Sequence, residues 1–257
     1  MVWRCVYLES TGDLPSTPWG LPRRHAKKKK IWFPPAGFAR LGLSFRMQRC
    51  LAHRQTLEWL ERLVIGKGLC PFAAPPHQAQ EIRISVQHEA KSDAEALQAV
   101  QSEMELLLNV DGTTENHPDL GSRVPTTTLV VFPNHFLEHF QLVRASYDVL
   151  ARVQEIGAGE RIQIVNFHPQ GRHSLYDESQ EESPYDFVTR SPHPTIHLLR
   201  TVDLIDAAKR FGGDVDLIPS KNQKTLARIG IEELRRQWSF ESFQTPSGIP
   251  SKQVSSR

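Results

Sequence analysis

Arg190-Ser191-Pro192-His193-Pro194-Thr195-Ile196-His197-Leu198-Leu199-Arg200 is the stretch on which the reading of this chain turns. It packs two prolines, two histidines and two arginines into eleven residues. Pro194 suits the first turn of a helix, where a missing N–H costs nothing. Ile196, Leu199, Val202 and Ile205 then recur at helical spacing. The pattern predicts a helix whose start, with its unpaired N–H groups and partial positive charge, lies among Arg190, His193, His197 and Arg200. Such a corner suits an anion.

Upstream of it, helices and strands alternate. Leu57, Leu60 and Val64, with Trp59 and Leu63 beside them, mark a helix face that Gly66 and Gly68 stop. Cys70-Pro71-Phe72 follows, and Pro75-Pro76 reads as extended chain. Ile82, Ile84 and Val86 give a first strand; Ser92 with Glu95 reads as a capping box before a helix through Leu97, Val100, Met104 and Leu107. Residues 109–125 form a polar loop. Residues 126–132, Thr-Thr-Thr-Leu-Val-Val-Phe, make a nearly continuous run rich in β-branched residues, as a central strand requires. Pro133 ends that strand, and Asn134 reads as the N-cap of a long helix carrying Phe136, Phe140, Val143, Tyr147 and Leu150, an aromatic stripe assigned to the core. Gly157 and Gly159 close the helix, and Ile162 to Phe167 is the third strand. A long polar loop, His168 to Arg190, leads to the helix after Pro194. Ser220 with Gln223 reads as a capping box for a last helix through Leu226, Ile229 and Leu234.

This order predicts an α/β (α+β) domain, a small layered unit with a β-α-β-α-β core sheet covered by helices. A ferredoxin-like sheet is the alternative if a further strand hides in the 168–190 loop. Residues 51–238 are taken as the single globular domain, 1–50 as a disordered extension or targeting segment, and 239–257 as a disordered tail.

The chain has 257 residues and a formal charge of +2. Residues 1–50 hold 10 of its 31 basic residues and 2 of its 29 acidic ones, which leaves 21 against 27 beyond them, near −6. An acidic body argues against nucleic acid as a partner. Cys5, Cys50 and Cys70 form no Cys-x-x-Cys pair, which argues against a disulfide framework or a thiolate zinc site and predicts a reducing compartment. No apolar run approaches the roughly 18 residues that span a bilayer, so no membrane is expected as a partner. Localisation is read as intracellular: cytoplasmic, or mitochondrial or plastid if residues 1–50 act as a transit segment. The run Lys27-Lys28-Lys29-Lys30 also fits a nuclear signal or an acidic-surface tether, and Met47 an alternative start.

In open α/β sheets ligands bind beyond the carboxyl ends of the strands. Those ends here are Pro133-Asn134-His135 and His168-Pro169, and the loop leaving His168 delivers Asp186, Arg190, His193 and His197. The candidate catalytic residues are therefore His168 and His197 for proton transfer, Asp186 to orient a histidine, and Cys70 as nucleophile. Arg190, Ser191, His193 and Arg200 are the candidate substrate contacts, since an arginine fork matches carboxylate or phosphate. Against these roles stand a structural His168, ion pairs of Arg190 or Arg200 with Asp186 or Asp203, and Cys70 as a packing residue. No metal ligand set and no cofactor is assigned.

Leu69-Cys70-Pro71-Phe72-Ala73, Thr127-Thr128-Leu129, Phe167-His168-Pro169 and the Arg190–Arg200 block together resemble the family catalogued as domain of unknown function fourteen-fifteen. The resemblance covers roughly residues 55–235 and leaves residues 1–50 outside the domain. It implies domain limits and no activity. Many bacterial members of that family carry an aromatic-rich segment where this chain has Gln170-Gly171-Arg172-His173-Ser174-Leu175-Tyr176. The function expected is a soluble enzyme binding a small anionic metabolite at a His/Arg/Cys pocket. The alternative is a non-enzymatic metal- or ligand-binding regulatory module. A third reading has the histidines and arginines simply locking a polar loop onto the sheet.

Overall fold

The computed structural model describes residues 45–108, 125–173 and 181–238 of the chain, with side chains from residue 51 onward. The expected tail from residue 239, the 109–124 part of the polar loop and residues 1–44 lie outside the described residues.

Four strands form one sheet: β1 (Ile82–Val86), β2 (Thr127–Val131), β3 (Ile162–Phe167) and β4 (Thr195–Arg200). The spatial order is β1-β2-β4-β3. β1 and β2 are parallel, whereas β4 runs antiparallel to both β2 and β3. The mixed α/β class is as expected, but the fourth strand lies at 195–200, where a helix was expected, and the order is not ferredoxin-like. The physical reason is a two-sided strand. Ile196 and Leu198 point to one face and His197 to the other, and both faces are covered, so the apolar pattern is nearly continuous and six residues cannot distinguish a period of 2 from one of 3.6. Pro194, lacking an N–H, sits just ahead of the strand, and its carbonyl accepts from Phe132 N at 2.8 Å. The anion-binding helix start predicted there does not exist. The helix begins at Thr201 instead.

The helices are α1 (Phe45–Trp59), continued by a π-helical turn over Leu60–Ile65, α2 (Ala74–Gln78), α3 (Asp93–Leu108), α4 (His139–Glu155), α5 (Thr201–Phe211), α6 (Ile218–Ile229) and α7 (Ile231–Gln237), with 3₁₀ turns at Pro184–Thr189 and Val215–Leu217. α1 thus reaches back to Phe45, into the segment counted with the extension. Pro75 and Pro76 lie inside the short α2 and not in extended chain, because a helix's first turn tolerates proline.

α3 and α4 pack side by side on one face of the sheet, burying Val100, Met104, Leu107, Leu142, Val149 and Val153 against Val130, Ile196 and Leu198. α1 and the π turn cover the other face, with Trp59, Leu60 and Leu63 against Leu129, Val131, Val165 and Phe167. A third cluster, around Phe187, Leu226 and Leu234, joins α6 and α7 to the 3₁₀ turn before β4.

Three further expectations are corrected. α4 starts at His139 and not after Asn134: the Glu138 N–H donates to Gln141 Oε1 at 3.1 Å, so the box is Glu138/Gln141. Of the aromatic stripe only Phe136 is core, at 2% exposure; Phe140 and Tyr147 stand 68% and 44% exposed on the side of α4 away from the sheet. Ser220 caps nothing, since α6 already begins at Ile218 and its hydroxyl donates to Leu217 O.

Val202 and Ile205, expected to face inward, are 59% and 48% exposed. Strand and helix readings therefore part at two residues. Leu198→Ala is expected to destabilise the protein by about 2–5 kcal/mol through a core cavity. Val202→Ser should stay within about 0.5 kcal/mol of the parent. Chemical denaturation of both variants checks the pair, and a large loss at Val202 would contradict the strand.

Candidate functional site

Because β4 runs against its neighbours, its first residues lie beside the carboxyl ends of the other strands. Four segments meet there: His88 after β1, Asn134 to His139 after β2, His168 to Gly171 after β3, and Arg190 to Pro194 before β4. The joins are direct. His168 N donates to Thr189 O at 3.0 Å, Phe132 N to Pro194 O at 2.8 Å, and Asn134 Nδ2 to His88 O at 3.1 Å.

His168 is 1% exposed, and both ring nitrogens are committed to backbone. Nδ1 accepts from Gln170 N at 3.0 Å, which leaves Nε2 as the N–H that donates to Phe136 O at 2.9 Å. Phe136 presents that carbonyl from a left-handed backbone, φ 55°. Burial pushes the pKa of His168 down to about 4, the Phe136 contact opposing. His168 is therefore a neutral, fixed ring. On it stacks His139, the first residue of α4, with centroids 5.4 Å apart and planes 28° apart. His139 is only half-buried; burial, then the positive charge of Arg190, lower its pKa below the ordinary 6.5, while Asp186 opposes.

Asp186 is 5% exposed and spends its carboxylate on backbone: Oδ1 accepts from His173 N and Oδ2 from Ser183 N, both at 2.9 Å. It caps the 3₁₀ turn that carries Arg190 to the sheet. Arg190 Nε donates to Gly171 O at 3.0 Å, Nη1 pairs with Glu182, and the guanidinium lies 4.2 Å over the Phe187 ring. Glu182 also accepts from Arg235 of α7 at 2.6 and 2.8 Å. Burial alone would raise the Glu182 pKa, but its two arginines hold it below the usual carboxylate range. Trp238 Nε1 donates to Arg190 O at 3.3 Å and its ring meets Phe187 edge-on. Gly171 is obligatory: a Cβ there would lie 2.5 Å from Thr189 O.

Ser191 and Thr195 hydroxyls both donate to His193 O, at 2.5 and 2.8 Å, which closes the turn before β4. The His193 ring is 8% exposed and donates from Nε2 to Gln55 Oε1 of α1 at 2.9 Å. Burial, then neighbouring His88, brings its pKa down to about 4.

The remaining candidates lie elsewhere. His197 points to the α1 face, where the Thr127 hydroxyl donates to Leu198 O at 2.8 Å and so accepts from His197 Nε2 at 2.6 Å; burial holds its pKa near 4. Arg200 ends β4 beside Ile162, about 17 Å of strand away from the Arg190 corner, and pairs with Asp203 at 2.5 Å. Cys70 packs partly buried against the α1 cluster, and burial raises its thiol pKa, the reverse of what a nucleophile needs. His193 and His197, four apart on extended chain, do not chelate together. Among the described residues no group of three His, Cys, Asp or Glu is arranged to hold a metal ion, and no helix is long and apolar enough to cross a membrane.

The structure thus unites His168, Asp186, Arg190, Ser191 and His193 at one sheet end, and leaves His197, Cys70 and Arg200 outside it. Sequence reasoning missed His139; it placed His135 at a strand end without a role, and there its Nε2 donates to Asp93 Oδ1 at 2.9 Å. The signal was present: a Glu138/Gln141 box would have put His139 at the helix's first position. Glu182 as partner of Arg190 had no signal, being one acidic residue in an acidic loop.

A family model described as a protein of unknown function, DUF1415, matches residues 51–236. No curated protein and no solved structure matches the chain.

Two outcomes are expected from this geometry. His168, His193 and His197 are held near 4 in the fold and titrate near the ordinary 6.5 when unfolded. The unfolded chain therefore binds more protons between pH 6.5 and 4, and stability, complete above that window, falls as pH drops through it. Each such histidine removes on the order of 3 kcal/mol, so circular dichroism at 25 °C should show acid unfolding within the window. A fold intact at pH 4 would contradict the burial of these rings. Second, Arg190→Ala strips Glu182 of one partner and Gly171 O of its donor, and should cost about 3 kcal/mol. A loss under about 0.5 kcal/mol, the range of ordinary surface changes, would make the network superficial.

Proposed function

We propose that this chain, which belongs to the DUF1415 family of proteins of unknown function, is an enzyme that binds a small anionic metabolite at the carboxyl ends of its parallel strands, with His139 moving the proton. The stack of half-buried His139 on the locked ring of His168 is the observation that carries this reading. A half-buried imidazole whose pKa is lowered below the ordinary 6.5 by burial and by a neighbouring cation favours its neutral, proton-accepting form. Arg190 supplies positive potential for a carboxylate or phosphate, and Asn134, Gln170 and His135 supply polar contacts at the rim. In this reading His168 and Asp186 position other groups, since backbone contacts occupy their polar atoms. That saturation also favours a second reading, a regulatory module that binds the same anion and turns nothing over.

Thermal-shift measurements on the full chain with inorganic phosphate and with small di- and tricarboxylates test the proposal. A ligand at ten times its Kd should stabilise the protein by about 1.4 kcal/mol, which for a domain of this size raises Tm by about 3–6 °C. His139→Ala should abolish most of that shift while leaving the unliganded Tm within about 2 °C, as expected of a half-exposed side chain. Equal shifts in variant and parent would remove His139 from the site. Absence of any shift across the panel would remove the anion.

A further inference from the structure

Besides the Thr127–His197 pair, the layer between α1 and the sheet carries a polar seam. Gln55 and Trp59, one turn apart on α1, are 0% and 2% exposed and face the β3–β4 end of the sheet. Gln55 Oε1 meets His193 Nε2 at 2.9 Å, and the Trp59 ring packs edge-on against Phe167 with centroids 5.2 Å apart. Phe167 and Thr195 are partners across β3 and β4, and His193 lies two residues before Thr195, so both α1 side chains sit over the same corner. Among the described residues, neither Gln55 Nε2 nor Trp59 Nε1 has a hydrogen-bond partner.

Two fully buried N–H groups one helical turn apart, both without acceptors, are a rare and costly arrangement in a folded protein. Turning the Gln55 amide end for end does not remove the problem. Its nitrogen would then donate to His193 and its oxygen would be the orphan. Whatever completes the corner must accept from the indole, and must serve the remaining end of the amide whichever way that amide points. It must also be small, because Gln55 and Trp59 are themselves 0% and 2% exposed and Phe167 packs edge-on against the indole. It must be uncharged as well: the facing imidazole of His193 is neutral, so no cation offsets the cost of burying an anion there.

We infer that a buried water site lies between α1 and the β3–β4 corner, with Trp59 Nε1 donating to the water and the free end of the Gln55 amide bonded to it. Water is small, uncharged and both donor and acceptor, and polar corners of this kind are where interior waters reside. The seam then joins α1 to the Ser191–Thr195 turn through Gln55, His193 and solvent, beside but separate from the face that holds His139.

The test uses the full chain with 15N-labelled tryptophan. The Trp59 indole proton is assigned by its loss in Trp59→Phe, or, should that chain fail to fold, by its NOE contacts to the Phe167 ring. A held water gives that proton water cross-peaks with NOE and ROE of opposite sign, and Gln55→Leu should reduce them at least severalfold by removing the second anchor. A crystal structure should show one ordered water within hydrogen-bond reach, about 3 Å, of both side chains. An indole proton without a water cross-peak overturns the inference. So does a corner filled by a larger molecule, or one where Gln55 and Trp59 have turned to protein acceptors.

Discussion

The hydrogen bond from Phe132 N–H to the carbonyl of Pro194 marks the seam on which the rest of the structure depends. It records that the last strand to appear in the chain is threaded, in reverse, between β2 and β3. Were β4 parallel to its neighbours, the segment Arg190 to Pro194 would sit at the opposite end of the sheet from His139 and His168. The antiparallel insertion brings a proline- and histidine-rich turn, two strand-end histidines and a cation to one corner. Everything argued about the site is a consequence of that single reversal.

The corner is held by polar contacts that leave few groups idle. His168 and Asp186 bond to backbone on both sides, and Glu182 is shared by arginines from two elements. Buried polar groups cost stability unless every member is satisfied, so such a cluster rigidifies when complete and fails sharply when one member is lost. Trp238 and the α6–α7 pair reinforce it from outside by gripping Phe187 and the Arg190 carbonyl. His139 and His135 are the partly exposed imidazoles on this frame.

Much of this was legible in the sequence where one physical signal dominated. The β-branched run before Pro133 reads as a central strand, and β2 is buried along its whole length. The alternation of Ile82, Ile84 and Val86 marks β1, and the helix through Leu97, Val100, Met104 and Leu107 is α3. His168 and Arg190, expected together beyond the carboxyl ends of the strands, do lie near one another at that end of the sheet. It failed where two signals conflict. Pro194 opens a helix or precedes a strand equally well, and Thr195 to Arg200 is too short for its period to decide. The error then carried Val202 and Ile205 into a core they do not join, and gave Arg200 a share in a site it faces away from. Glu182 as an ion-pair partner was invisible for another reason: pairing across a loop depends on tertiary placement that local pattern does not encode.

The threading of β4 also dictates the order in which the molecule can be assembled. Among the described residues β3 pairs with no strand but β4, and β2 offers an open edge until β4 arrives. A chain emerging from the ribosome therefore carries two apolar strands, each with an unfilled side, until some thirty residues beyond β3 have been made. Contacts so distant in sequence close slowly and leave strand edges open to other chains meanwhile. The corner that gathers His139, His168 and Arg190 thus closes only once β4 has been made, and until then β2 and β3 keep edges of the kind that pair with other chains.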